Sequence, residues 1–123
     1  MTGRRARLGL TVVVALATAA LGACATGGAV GGGGTVPAAA RAETLARTTG
    51  ADGATAERWH QGEQLFSSRC QRCHALPNPA SVSPEKWPTE VQEMSRKSGL
   101  SGAQTTLVAD YLVAAAKATR ATN

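Results

Sequence analysis

The large aromatic side chains of this 123-residue chain are few and confined to one stretch. They are Trp59, Phe66, Trp87 and Tyr111. Aromatic side chains bury more apolar area than any others, so a small core forms where they are. A chain of this length has room for one domain, and its first half is too poor in large apolar residues to contribute a core. We therefore expect a single folded domain in residues 54–123.

The first 24 residues have the pattern of an export signal. Arginines at positions 4, 5 and 7 precede an apolar run from 8 to 21, which is shorter than the roughly 20 apolar residues that span a membrane. Leu21-Gly22-Ala23-Cys24 resembles the lipobox of bacterial lipoproteins. The resemblance implies a lipoprotein signal peptide in residues 1–23 and diacylglycerol on Cys24, on the periplasmic or extracytoplasmic face of a bacterial membrane. An ordinary secretory signal is the alternative.

Residues 24–53 are mostly Ala, Gly and Thr. Such a composition buries too little apolar surface to offset the entropy lost on ordering the chain. We therefore predict a lipid-anchored flexible linker here. Ala38 to Ala46 contains good helix formers, but we expect it to make no tertiary contacts.

The formal charge of +5 is weak support for nucleic-acid binding, because three of the basic residues lie in the predicted signal peptide. From Cys24 onward there are ten basic and eight acidic residues, a net charge of +2. We expect no nucleic-acid partner.

Residues 70–74, Cys-Gln-Arg-Cys-His, have the C-x-x-C-H spacing that attaches haem in c-type cytochromes. Two thiols three positions apart lie on one side of a helical turn, so each can form a thioether with one haem vinyl group. The histidine that follows can bind the iron through Nε2. The motif predicts one covalent haem c at Cys70 and Cys73, with His74 as an axial ligand.

Three other uses of the Cys70 and Cys73 pair are less favoured. A thioredoxin-like redox pair accompanies a βαβ pattern, whereas residues 54–123 lack strand-like alternation. A zinc site needs further cysteine or histidine ligands, and His60 is the one other histidine. A structural disulfide is the third alternative. The export signal in the same chain also favours haem.

The surroundings of the motif resemble class I cytochromes c. Gly62-Glu63-Gln64-Leu65-Phe66, shortly before Cys70, is similar to the first helix of that family, and Tyr111-Leu112 is similar to the aromatic-aliphatic pair of its last helix. The resemblance covers about residues 56–117. It implies an all-α fold of three or so helices around one haem, in which these two helices cross. Gly62 would permit a close approach at a cost of about 1 kcal/mol in helix propensity.

The last helix also has local signals. Ser101 is a candidate N-cap, and Gln104 completes a capping box. Apolar side chains recur at helical spacing at positions 107, 108, 111, 112 and 115. We therefore expect a helix from about 102 to 118 that packs on the rest of the domain.

Met94 is the predicted second axial ligand. It is the only methionine besides the initiator. Trp87, Val91 and Met94 recur at helical spacing, which is similar to a W-x-x-x-V-x-x-M pattern of short single-haem cytochromes. Pro88 disfavours helical geometry at Trp87, so the helix is expected to begin or kink there.

The coordination of the iron has open alternatives. Met94 filling space against the haem is one, and His60 as the second axial ligand is another. After His74, the turn Leu76-Pro77-Asn78-Pro79 offers backbone carbonyls, and Pro77 is the predicted acceptor for the His74 Nδ1 proton.

With His74 and Met94 both on the iron, no position remains for a substrate. The predicted function is therefore outer-sphere electron transfer without catalysis. A haem-based sensor or weak peroxidase with an open iron site is the alternative. The basic residues near the motif would favour acidic redox partner proteins, and a solvated charged surface is the alternative. These residues are Arg69, Arg72, Lys86, Arg96 and Lys97.

Overall fold

The computed structural model describes residues 34–122, and within this range the chain forms four α-helices and no β-strand. The helices are α1 (Ala42–Thr49), α2 (Gly53–Arg69), α3 (Trp87–Ser98) and α4 (Gly102–Ala121). Short 3₁₀ turns lie at Ala38–Ala40, Cys70–Arg72, Pro79–Ser81 and Pro84–Lys86. The predicted all-α fold class is confirmed.

The predicted signal peptide, the lipidation site Cys24 and the first ten residues of the predicted linker lie outside the described residues. Between residues 34 and 122, no helix has the length and the apolar composition needed to cross a membrane.

Local signals determine where the shorter helices begin and end. The Asp52 carboxylate accepts a hydrogen bond from the Thr55 N–H at 2.7 Å, which caps α2 and lowers the pKa of Asp52. α1 and α3 are followed directly by Gly50 and Gly99, whose φ angles are 65° and 67°. Glycine adopts this left-handed conformation without the strain that a Cβ would bring, so both positions stop a helix.

α4 is the helix on which α1, α2 and α3 all pack. The predicted capping box at its start is confirmed. The Gln104 N–H donates to Ser101 Oγ at 3.3 Å, and the Ser101 N–H donates to Gln104 Oε1 at 3.0 Å. The helix continues to Ala121, three residues past the predicted end, because Ala, Lys and Arg favour helix and no Gly or Pro interrupts it.

α2 and α4 cross at Gly62. A methyl group there would overlap the Leu107 carbonyl oxygen and lie 2.5 Å from Tyr111 Cβ, so only glycine permits this approach. Below the crossing, the rings of Phe66 and Tyr111 are 6.1 Å apart between centroids and inclined by 49°. Both are buried. The close approach predicted for Gly62 is present.

The segment between α2 and α3 is fixed by side chains from two helices. The Trp87 indole N–H donates to the Pro79 carbonyl at 2.9 Å, and Arg120 donates to the Ala80 carbonyl at 3.0 Å. α3 begins at Trp87, which has helical dihedrals of −54° and −41°. Pro88 lies in the first turn, where its missing N–H costs no helical hydrogen bond.

The expectation that residues 38–46 make no tertiary contacts is wrong. Ala40, Ala42 and Leu45 are all 0 % exposed and belong to the core. The Tyr111 hydroxyl donates to the Ala40 carbonyl at 3.0 Å. Packed chain therefore extends upstream of the predicted domain boundary at residue 54. Composition misses this because small alanines become buried when another part of the chain supplies the complementary surface.

Candidate cofactor-binding site

An apolar cleft of about 510 Å³ is lined by residues of α2, α3 and α4 and of the segments between them. Cys70, Cys73, His74 and Met94 all line it. Pockets of roughly 300–1,000 Å³ bury most of a bound small molecule or cofactor. The predicted haem attachment sites and both predicted iron ligands thus meet at one cleft.

The two thiols reach the cleft at the end of α2. The helix ends at Arg69, and a 3₁₀ turn over Cys70–Arg72 continues the chain in the same direction. Neither thiol is in a disulfide, and Cys70 is half-buried whereas Cys73 is exposed. Burial raises the pKa of the Cys70 thiol, so this group stays protonated at neutral pH.

His74 has a defined ring nitrogen available for a ligand. Its Nδ1 lies 2.8 Å from the Ala75 carbonyl oxygen. A carbonyl only accepts hydrogen bonds, so Nδ1 is the donor, and Nε2 is the nitrogen that has a lone pair when the ring is neutral. The prediction that the Pro77 carbonyl is the acceptor is wrong. The chain bends directly after His74, which brings the neighbouring carbonyl back towards the ring, while Pro77 lines the cleft.

One face of α3 forms the opposite part of the lining. Trp87, Val91 and Met94 follow one another at helical spacing and all line the cleft. Trp87 and Val91 are buried, whereas Met94 is 39 % exposed and is the exposed large hydrophobic side chain of the described part of the chain. His60 is exposed on α2 and does not line the cleft.

The rest of the lining is largely apolar, and sequence reasoning missed part of it. Phe66 and Leu112 are buried side chains from the two crossing helices. Val82 and Leu100 also line the cleft, but they are isolated apolar residues between helices and carry no periodic signal. Val108 belongs to the predicted apolar stripe of α4, which by itself predicts packing and no ligand.

Charged side chains lie at the cleft in smaller number than the sequence suggested. Of the five basic residues near the motif, Arg69 and Lys97 line the cleft. Glu90 from α3 lines it as well. The charged residues that line the cleft are therefore both basic and acidic.

A second cavity, of about 710 Å³, is lined by α1, α2 and α4 and lies on the opposite face of α4. Trp59, Asp110 and Lys117 are among its residues, and its lining contains no cysteine, histidine or methionine. It is the larger of the two, yet it lacks the groups that attach or ligate a haem. Nowhere in residues 34–122 do three His, Cys, Asp or Glu side chains converge as a metal cluster.

No protein-family model, curated protein or solved structure matches the chain. Its function is therefore inferred from the residues of the cleft.

Proposed function

We propose that the chain is a monohaem c-type cytochrome that carries single electrons outside the cytoplasmic membrane of a bacterium and catalyses no reaction of its own. The observation that supports this most is the meeting of Cys70, Cys73, His74 and Met94 at one apolar cleft. The C-x-x-C-H motif is a local pattern, and it does not require a methionine from another helix on the same cleft. The methionine is thus independent support for a haem with two protein ligands.

The residues present fit a covalent haem c. The free thiols of Cys70 and Cys73 would form its two thioethers, and Nε2 of His74, whose Nδ1 is already hydrogen-bonded, would bind the iron. Met94 would supply the second axial ligand from α3. The buried side chains that line the cleft would exclude water from the ring, in a class I cytochrome c-like arrangement of helices.

Haem c supplies a reversible one-electron couple between ferric and ferrous iron when it is bound. A thioether such as that of Met94 is a soft ligand that favours ferrous iron. Apolar surroundings such as Phe66 and Leu112 disfavour the additional positive charge of the ferric state. Both effects give a higher reduction potential than a solvent-exposed bis-histidine site.

A haem-based sensor or weak peroxidase is the second candidate, and one observation favours it. Met94 is 39 % exposed, so part of its side chain is open to solvent and not packed against neighbouring residues. An iron that Met94 leaves free would bind carbon monoxide. Exclusion of carbon monoxide by the ferrous protein would favour the electron carrier.

The proposal also includes a cellular location and redox partners. Cys24 would carry the lipid that holds the protein at the extracytoplasmic face of the membrane, where donor and acceptor redox proteins would meet the cleft. Arg69, Lys97 and Glu90 would contact them there. Nucleic acid has no place in this function.

Covalent haem is the direct test of the proposed function. Denatured protein should retain haem-linked peroxidase staining on a gel, and replacing both Cys70 and Cys73 with Ser should abolish the staining. Cys24→Ser is the matched control, because it removes a thiol outside the motif and should leave the staining intact. If acidified organic solvent extracts all of the haem from the wild-type protein, the c-type assignment is wrong.

A further inference from the structure

The strap, defined here as residues 34–50, begins beside the predicted haem motif. The backbone of Gly34 lies against Leu76, two residues after His74. A Cβ at position 34 would overlap the Leu76 carbonyl oxygen and would lie 3.3 Å from its carbonyl carbon and 3.4 Å from its nitrogen. Only glycine allows the two backbones to approach so closely.

This contact reaches the histidine through the backbone of Leu76. The carbonyl that Gly34 crowds belongs to the Leu76–Pro77 peptide, and Pro77 restricts the rotation of Leu76 between that peptide and the preceding one. The Leu76 nitrogen and the Ala75 carbonyl oxygen belong to the same planar peptide group, so neither moves without the other. The Ala75 oxygen is the acceptor that lies 2.8 Å from His74 Nδ1. The position of Gly34 therefore limits where that acceptor can be.

The strap is itself held in place at several points. The Tyr111 hydroxyl donates to the Ala40 carbonyl in the core at 3.0 Å. The Ala42 N–H, at the first position of α1, donates to Glu63 Oε2 at 2.7 Å. Leu45 is 0 % exposed. These contacts fix the strap to α2 and α4, so that its first residues are held against the loop after His74.

We propose that Gly34 is a positioning residue for His74, because the strap packs against the backbone of Leu76 and thereby restrains the preceding carbonyl, which accepts the His74 Nδ1 proton. The effect on the iron rests on the proposed function. A firm Nδ1–H···O bond makes imidazole a more basic ligand and fixes the ring orientation. A more basic ligand favours ferric iron, so the strap lowers the reduction potential.

The test is Gly34→Ala in the full-length, haem-loaded protein. The added methyl group should push the Leu76 peptide away and weaken the bond from His74. We expect a higher reduction potential and altered haem-methyl shifts in the ferric NMR spectrum. In the ferrous protein, the His74 Nδ1 proton should exchange on the order of tenfold faster, the factor that corresponds to one ordinary hydrogen bond.

Two matched Gly→Ala variants separate positioning from general damage. A Cβ at Gly53 would meet nothing within 4 Å, so Gly53→Ala should not lower the stability and should leave the potential unchanged. A Cβ at Gly62 would overlap the Leu107 carbonyl at the helix crossing, so Gly62→Ala should lower the melting temperature. If Gly62→Ala raises the potential as much as Gly34→Ala does, the change reflects lost stability and the proposal is wrong.

A readout that needs no haem keeps this test separate from that of the proposed function. The Leu76 amide and the His74 ring nitrogens can be observed by NMR in the wild-type protein as isolated. Gly34→Ala should shift both sets of signals, and Gly53→Ala should shift neither. Unchanged signals in Gly34→Ala would overturn the proposal, whereas absence of covalent haem in the wild-type protein would refute only the proposed function.

Discussion

Leu45 is the residue at which the packing of α1 can be tested most sharply. Its side chain is 0 % exposed. Replacing a buried leucine with alanine removes three carbons and leaves a cavity, which costs about 2–5 kcal/mol. Because a domain of this size loses about 4–8 °C in melting temperature per kcal/mol, Leu45→Ala should lower the melting temperature of the haem-loaded protein by at least about 8 °C.

Thermal and urea unfolding followed by far-UV circular dichroism would measure this loss. Glu43→Ala is the matched control on the same helix. It removes the exposed ion pair with Arg47, whose charged atoms are 3.1 Å apart, and an acidic charge in the first turn of α1, so it should cost about 1 kcal/mol or less. If Leu45→Ala costs no more than Glu43→Ala, residues 42–49 behave as a tether in solution and the packing of the strap is refuted.

Three further predictions concern the iron, the anchor and the strap. Met94→Ala should abolish the weak near-infrared absorption of ferric iron bound to sulfur and should allow the ferrous iron to bind carbon monoxide. His60→Ala is the control and should change neither property. If the Met94→Ala spectrum is unchanged, the sensor or peroxidase is favoured. Cys24→Ser should move the protein from the membrane to the soluble fraction with its haem intact, since acyl chains on this residue are its proposed anchor; continued membrane association would exclude lipidation as the anchor. Tyr111→Phe leaves the buried Ala40 carbonyl without its donor, so it should lower the free energy of unfolding in urea by about 1–3 kcal/mol. A loss below about 0.5 kcal/mol would show that this hydrogen bond does not stabilise the strap.

The sequence predicts α4 well because its signals are local. Ser101 and Gln104 are three residues apart, and their reciprocal hydrogen bonds depend only on the first turn of the helix. α1 is the opposite case. Its residues have helix propensity but form a short segment, and helices of eight residues gain most of their stability from packing. The surface on which α1 packs is formed by α2 and α4, which are distant in sequence, so no local pattern predicts that Leu45 is buried.

The candidate site divides in the same way. Cys70, Cys73 and His74 lie within five consecutive residues, so their spacing alone predicts that they form part of one binding site. The convergence of Met94 with them depends on how α3 lies against α4, and the sequence predicts only the apolar face that Met94 shares. The sequence does not identify the acceptor of the His74 Nδ1 proton, because the local bend of the backbone decides which carbonyl faces the ring.

The two neighbouring residues Tyr111 and Leu112 join the strap to the cleft. Successive residues of a helix differ by about 100° in direction, so they serve different surfaces. Tyr111 bonds to Ala40 of the strap, and Leu112 lines the cleft. Between residues 34 and 122, five of the twelve buried hydrophobic residues are alanine, so the core on either side of α4 contains few large apolar side chains. We therefore expect the strap and a haem in the cleft to stabilise each other through α4, and the Ala42 amide to lose protection from hydrogen exchange when the haem is not attached.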